Sequence, residues 1–186
     1  MARLPHELFL SALLAAVPAG AQAPLHEHGI AELLAVRQGP MLFLQLKGPA
    51  VGFVGFERVP DTKDEREVLR AGLHQLEEGR MLFHMPREGR CNLLSSSVAT
   101  PLLEALQPEA QRTAREDEDD HAGIFASYRF RCATPAAVDA IDVRVFRYFT
   151  GTREIRAEVV TDGGNRSRAT LTPESSRLTL GTATPE

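Results

Sequence analysis

Two segments of this 186-residue chain carry side chains able to hold a metal ion. The first is His26-Glu27-His28-Gly29. In an extended segment, residues two apart point the same way. Two imidazoles so placed can each reach one Zn²⁺ at about 2.0–2.1 Å, with carboxylates or water completing a tetrahedron. The glycine that follows lets the backbone bend. The second segment is Glu116-Asp117-Glu118-Asp119-Asp120-His121. Carboxylates beside an imidazole suit Zn²⁺, and carboxylates alone suit Ca²⁺. The run lacks the glycine and the later glutamate of an EF-hand loop. Neither segment makes a site alone. The HxH pair needs ligands from elsewhere in the fold, and an acidic run is equally read as a solvated loop.

Other reactive groups are sparse. His74 falls on a helix beside its apolar stripe and reads as a surface or boundary residue. His84 follows Phe83 in a short strand and reads as a packed or hydrogen-bonded histidine. Ser95-Ser96-Ser97 has no nucleophile elbow, and no HExxH is present. The chain lacks Trp and any glycine-rich phosphate loop. Its net charge of −4 gives no electrostatic case for nucleic acid. The expectation is a non-catalytic protein.

The opening residues supply an address. Arg3 precedes the apolar run Leu8–Val17, and Pro18 and Ala19-Gly20-Ala21 follow it, the three parts of a secretory signal. The run is shorter than the about 20 residues a membrane span needs. Cleavage after Ala21 is expected, since a later cut after Ala23 would leave Pro24 first. The competing reading is a buried N-terminal helix. The expected organisation is a signal peptide at 1–21, one domain at 22–180 and a loose tail at 181–186. In an oxidising compartment Cys91 and Cys132 read as one disulfide, the alternative being a metal ligand or a reactive thiol.

These residues need a scaffold. Glu32–Val36 and Leu42–Lys47 read as a hairpin, with Leu42, Leu44 and Leu46 on one face. Lys47–Pro60 reads as a loop anchored by Phe53 and Phe56. Asp61–Glu78 reads as a helix with a Thr62/Glu65 capping box, a Val68-Leu69-Leu73-Leu76 stripe and Gly79 as its stop. Met81–Met85 is a short strand, and 86–123 is mixed, with a weak helical patch at Pro101–Leu106. In Ile124–Cys132, Ile124, Ala126, Tyr128, Phe130 and Cys132 share a face. A short helix from Thr134 and strands at Asp142–Phe149 and Glu154–Thr161 follow. The turn Asp162-Gly163-Gly164-Asn165 leads into Arg166–Leu171, and Leu178–Leu180 is a last strand. The fold class is α+β, an antiparallel sheet of about seven to eight strands with two to three helices.

Several of these pieces, in this order, resemble the ZrgA-type family of zinc-regulated periplasmic proteins. They are His26-Glu27-His28-Gly29 leading into Ala31–Val36, Gly48-Pro49-Ala50 with Gly55-Phe56-Glu57 and Pro60, and Leu82-Phe83 before Cys91. Tyr128-x-Phe130-x-Cys132 follows an acidic, His-containing loop, and Phe146–Gly151, Val159–Gly163 and Leu171-Thr172-Pro173 close the pattern. The resemblance spans nearly all of residues 26–180. It implies a periplasmic zinc-binding protein that assists zinc acquisition beside an ABC-type zinc importer or its binding protein. It also implies metal ligands in the loop before the Tyr-x-Phe-x-Cys strand and in the N-terminal HxH: His26, His28, Asp117, Asp119, Asp120 and His121. The loop here holds a single histidine, which points to one modest site rather than a multi-zinc store. The rival expectation is an envelope interaction or structural module with no physiological metal.

Overall fold

The computed structural model describes residues 27–107 and 122–181. Residues 1–21, read above as a signal peptide, His26, the acidic run with Asp117, Asp119, Asp120 and His121, and all of the tail after Gly181 lie outside the described residues.

The alternation around Leu44 becomes a hairpin of β1 (Ile30–Gln38) and β2 (Met41–Pro49), antiparallel with Glu32 opposite Lys47. Leu33, Ala35, Leu42, Leu44 and Leu46 all point into the core and are fully buried. Burying side chains of this size contributes roughly 1.5–3 kcal/mol each. The two-residue strand β3 (Phe83–His84) is followed by β4 (Cys91–Ala99) and β5 (Gly123–Cys132). Strand β5 lies antiparallel to both β2 and β4. After β6 (Ala140–Val143) come β7 (Glu154–Val160), β8 (Arg166–Leu171) and β9 (Arg177–Thr179). Six strands form one sheet in the order β4-β5-β2-β1-β7-β8, and β3-β6-β9 form a second. The fold is α+β with mostly antiparallel sheets. The exception is β7, which runs parallel to β1, with Glu32 opposite Arg156.

The inner face of the large sheet is covered by α2 (Lys63–Glu77), which buries Leu69, Leu73 and Leu76. Tyr128 of β5 donates its hydroxyl to the Leu76 carbonyl at 2.6 Å, and its ring packs edge-on against Phe83. Val68, expected in the stripe, is half exposed on the outer side of the helix. Gly79 does not end the helical region. It opens the single turn α3 (Gly79–Leu82), and a Cβ there would lie 2.5 Å from the Tyr128 ring. Two more single turns, α1 (Val51–Val54) and α4 (Val145–Tyr148), replace the expected loop and the second half of the expected 142–149 strand. Thr134 makes no side-chain cap, and Pro135–Ala137 is one 3-10 turn. His84 is exposed, not packed.

The capping box at the start of α2 is complete. Thr62 Oγ1 accepts from Glu65 N at 3.1 Å, and the Glu65 carboxylate accepts from the backbone N–H groups of Asp61 and Thr62. Arg58 adds a bidentate contact. That guanidinium, then the two amides, hold the Glu65 carboxyl down at about 2, against an ordinary 4.5. A lowered folded pKa means the contribution is present above the ordinary value and fades as pH falls from there through about 2. Glu65→Gln is therefore expected to flatten the pH dependence of stability between pH 4.5 and 2, and urea melts across that range check it. An unchanged slope would show that Glu65 does not titrate there.

Candidate functional site

Among the segments predicted to bind metal, residues 27–29 are the part whose geometry is on view. Glu27–Ile30 form a turn closed by Ile30 N–H on the Glu27 carbonyl at 3.0 Å. Gly29 sits at φ +83°, in the left-handed region that favours glycine. A Cβ there would also lie 2.6 Å from Arg153 Nε. Arg153, just before β7, holds this turn. Its guanidinium donates to the His28 carbonyl at 3.0 Å, while its backbone N–H and that of Glu154 both donate to the Gly29 carbonyl. Arg156 of β7 pairs with Glu27 at 2.5 Å. The main chain of His28 is thus tied to the sheet, and its imidazole stands at the surface.

The His28 imidazole faces Glu57. Nε2 and Oε2 are 3.7 Å apart, with the His28 side chain 64 % exposed and that of Glu57 10 %. The elements carrying the two residues are docked against each other. Glu57 follows α1, and α1 packs on the segment leading into β7. Phe53 meets Phe149 edge to face at 5.3 Å. Thr152 Oγ1 donates to the Gly52 carbonyl in a buried bond of 3.2 Å. A Cβ on Gly151 would lie 2.9 Å from both the Val51 and Gly52 carbonyls. The same segment that grips His28 from one side therefore grips the root of Glu57 from the other.

A third strand of chain arrives here. Ala122 N–H donates to the Glu57 carbonyl at 3.2 Å, and the Ala122 carbonyl accepts from Ala50 N–H at 2.8 Å. Ala122 is buried and leads straight into β5. One peptide bond separates it from His121, and two separate His28 from His26. The structure thus brings the roots of both predicted segments to Glu57. His26, Asp117, Asp119, Asp120 and His121 themselves lie outside the described residues. Glu57 was missed from sequence because a lone glutamate in Gly-Phe-Glu-Arg carries no ligand spacing. The usable signal was its place in a segment anchored at both ends by Phe53 and Pro60.

Elsewhere most charged groups pair with neighbouring charges. Among the described residues, no group of three or more His, Cys, Asp and Glu converges on one point. A hollow of about 740 Å³ on the outer face of the large sheet holds Glu32, Lys47, Arg156 and Arg168 but no His or Cys. Lys47 there pairs with Glu32 and Arg156 with Glu154. A second, of about 760 Å³, contains His84 and Glu88, and its other acids Asp142 and Asp139 pair with Arg144 and Arg177. The expected disulfide is formed. Cys91 and Cys132 are direct cross-strand partners on β4 and β5, joined across 41 residues of sequence. No helix among the described residues is long and apolar enough to cross a membrane.

No curated protein matches the chain. A family model described as ZrgA family zinc uptake protein matches residues 25–180, from just before the HxH pair to the end of the second sheet. That span takes in the turn holding His28, the Glu57 segment, the disulfide and both sheets, and the chain belongs to the ZrgA family of zinc uptake proteins.

Proposed function

We propose that this protein binds zinc in the periplasm and assists its uptake without catalysing a reaction, passing the ion toward an ABC-type importer or its binding protein. The ligands are drawn from His26, His28, His121 and the carboxylates Asp117, Asp119 and Asp120. The observation that supports this reading is that His28, and Ala122 at the edge of the acidic run, both reach Glu57. His28 stands 3.7 Å from Glu57, and the Glu57 backbone receives Ala122, the residue next to His121. Membership of a zinc uptake family supplies the metal, and the Cys91–Cys132 bond suits an oxidising compartment. The signal-like sequence at 1–21 supports export.

Calorimetric titration of the chain freed of its leader is expected to show zinc binding tighter than about 100 µM, or about −5.5 kcal/mol. The ligands must be deprotonated, so affinity should fall as pH drops through the histidine range, about 6.5. His26→Ala and His28→Ala should each weaken binding by at least about tenfold, the smallest effect typical even of groups one shell further out. Weaker binding by the native chain would favour the envelope-module reading, in which the acidic run serves solubility alone.

A further inference from the structure

We infer that Glu57 is a ligand of the same zinc ion as His28, an assignment that rests on the zinc-binding reading above. The separation of the two groups is the first reason. At 3.7 Å, His28 Nε2 and Glu57 Oε2 lie beyond an ordinary N–H···O hydrogen bond. Two atoms each about 2.0–2.1 Å from one tetrahedral zinc are themselves about 3.3–3.4 Å apart. A shift of a few tenths of an ångström brings the pair to that spacing.

Rigidity is the second reason. A useful ligand is held in place before the ion arrives. Glu57 is nine-tenths buried at its side chain and fixed through its own carbonyl by Ala122. Arg153 fixes the main chain of His28 at 3.0 Å, and the Gly151–Thr152 segment locks α1 beside it. Exposure divides the labour. His28 faces solvent, where an ion is captured or released, and Glu57 forms the sheltered wall. An imidazole and a carboxylate are both ordinary zinc donors, and the carboxylate lowers the net charge of the bound ion.

Arg153 acts here as a positioning residue. Its bonds run to the backbone of residues 28 and 29.

The test is zinc affinity of the full chain without its leader, by competition with a chelating dye, for the native protein, Glu57→Gln, Glu57→Asp, His28→Ala and the double variant His28→Ala/Glu57→Gln. A cadmium-113 resonance of each cadmium-loaded protein is recorded beside it. Glu57→Gln keeps the shape of the side chain and the backbone carbonyl that receives Ala122, and should weaken zinc at least about tenfold. Glu57→Asp should fall between the native protein and Glu57→Gln, an ordering that a packing role does not produce. The double variant should be weakened by less than the product of the single effects, because one lost ligand already opens the shared site. The cadmium resonance should shift in both Glu57 variants. If the native chain binds zinc and Glu57→Gln binds it equally with an unmoved cadmium resonance, the assignment is overturned while the zinc reading stands. If the native chain does not bind zinc, both fall.

Discussion

Replacing Asp162 by alanine is expected to cost about 3–5 kcal/mol, more than removing the arginine it holds. Arg37 lies on β1 with its side chain 3 % exposed, a deeply buried cation in this fold. Its Nε reaches Asp162 Oδ2 at 3.2 Å, and Nη1 donates to the Gly181 carbonyl at 3.1 Å and to that of Val138 at 3.4 Å. The other Asp162 oxygen accepts from Gly39 N–H at 2.6 Å, in the β1–β2 turn. One carboxylate thus joins the β1–β2 turn, the β7–β8 turn and, through Arg37, the end of β9. Without it a guanidinium stays buried with two carbonyls and no counter-charge. Arg37→Met leaves a carboxylate that is 30 % exposed and still bonded to Gly39, so its cost should be smaller. The double variant should be more stable than Asp162→Ala alone, since the stranded charge has gone. Urea denaturation of the four proteins measures this order directly. If Arg37→Met proves the worse single change, the packing of the side chain outweighs its charge.

That link also marks where local sequence stops informing. The β1–β2 hairpin, the capped α2, the inward face of β5 and the Asp162-Gly163-Gly164 turn into β8 were all legible, because each is set by residues within one or two turns of chain. Strand β4 was not. It is an edge strand rich in serine, with a register shift between Leu93 and Ser95, and only alternate side chains are partly covered, so it has little apolar alternation. Val145-Phe146-Arg147-Tyr148 reads as strand from its β-branched and aromatic residues, yet it turns as α4, with Val145 and Phe146 both buried. The parallel pairing of β1 with β7 is non-local and has no local signature. The site follows the same division. HxH and the acidic run announce ligand chemistry in their composition. Glu57 becomes visible only when β7, α1 and Ala122 are brought together in space.

Breaking the Cys91–Cys132 bond is expected to cost about 4 kcal/mol in the chain-entropy account for a loop of 41 residues, while leaving zinc affinity unchanged. The double variant Cys91→Ala/Cys132→Ala is the clean form, because Cys132 is 3 % exposed and a serine hydroxyl there would need a partner. For a chain of this size the loss corresponds to a fall of roughly 8–16 °C in Tm. Position separates stability from binding. The disulfide closes the Cys132 end of β5, and Ala122 leads into the other end. At about 3.3 Å per residue the two ends lie roughly 30 Å apart. His28 and Glu57 are held by Arg153, Thr152 and Ala122, whose bonds run to residues 28, 29, 50, 52, 57 and 149. The closed loop nevertheless contains the whole segment from 108 to 121, so the bond narrows the conformations that segment explores in the unfolded chain. Calorimetric melting should therefore show the large shift, and zinc titration well below the new Tm should give the native Kd. A Kd that weakens in step with the loss of stability would mean that the β4–β5 pair must be pinned before the site forms.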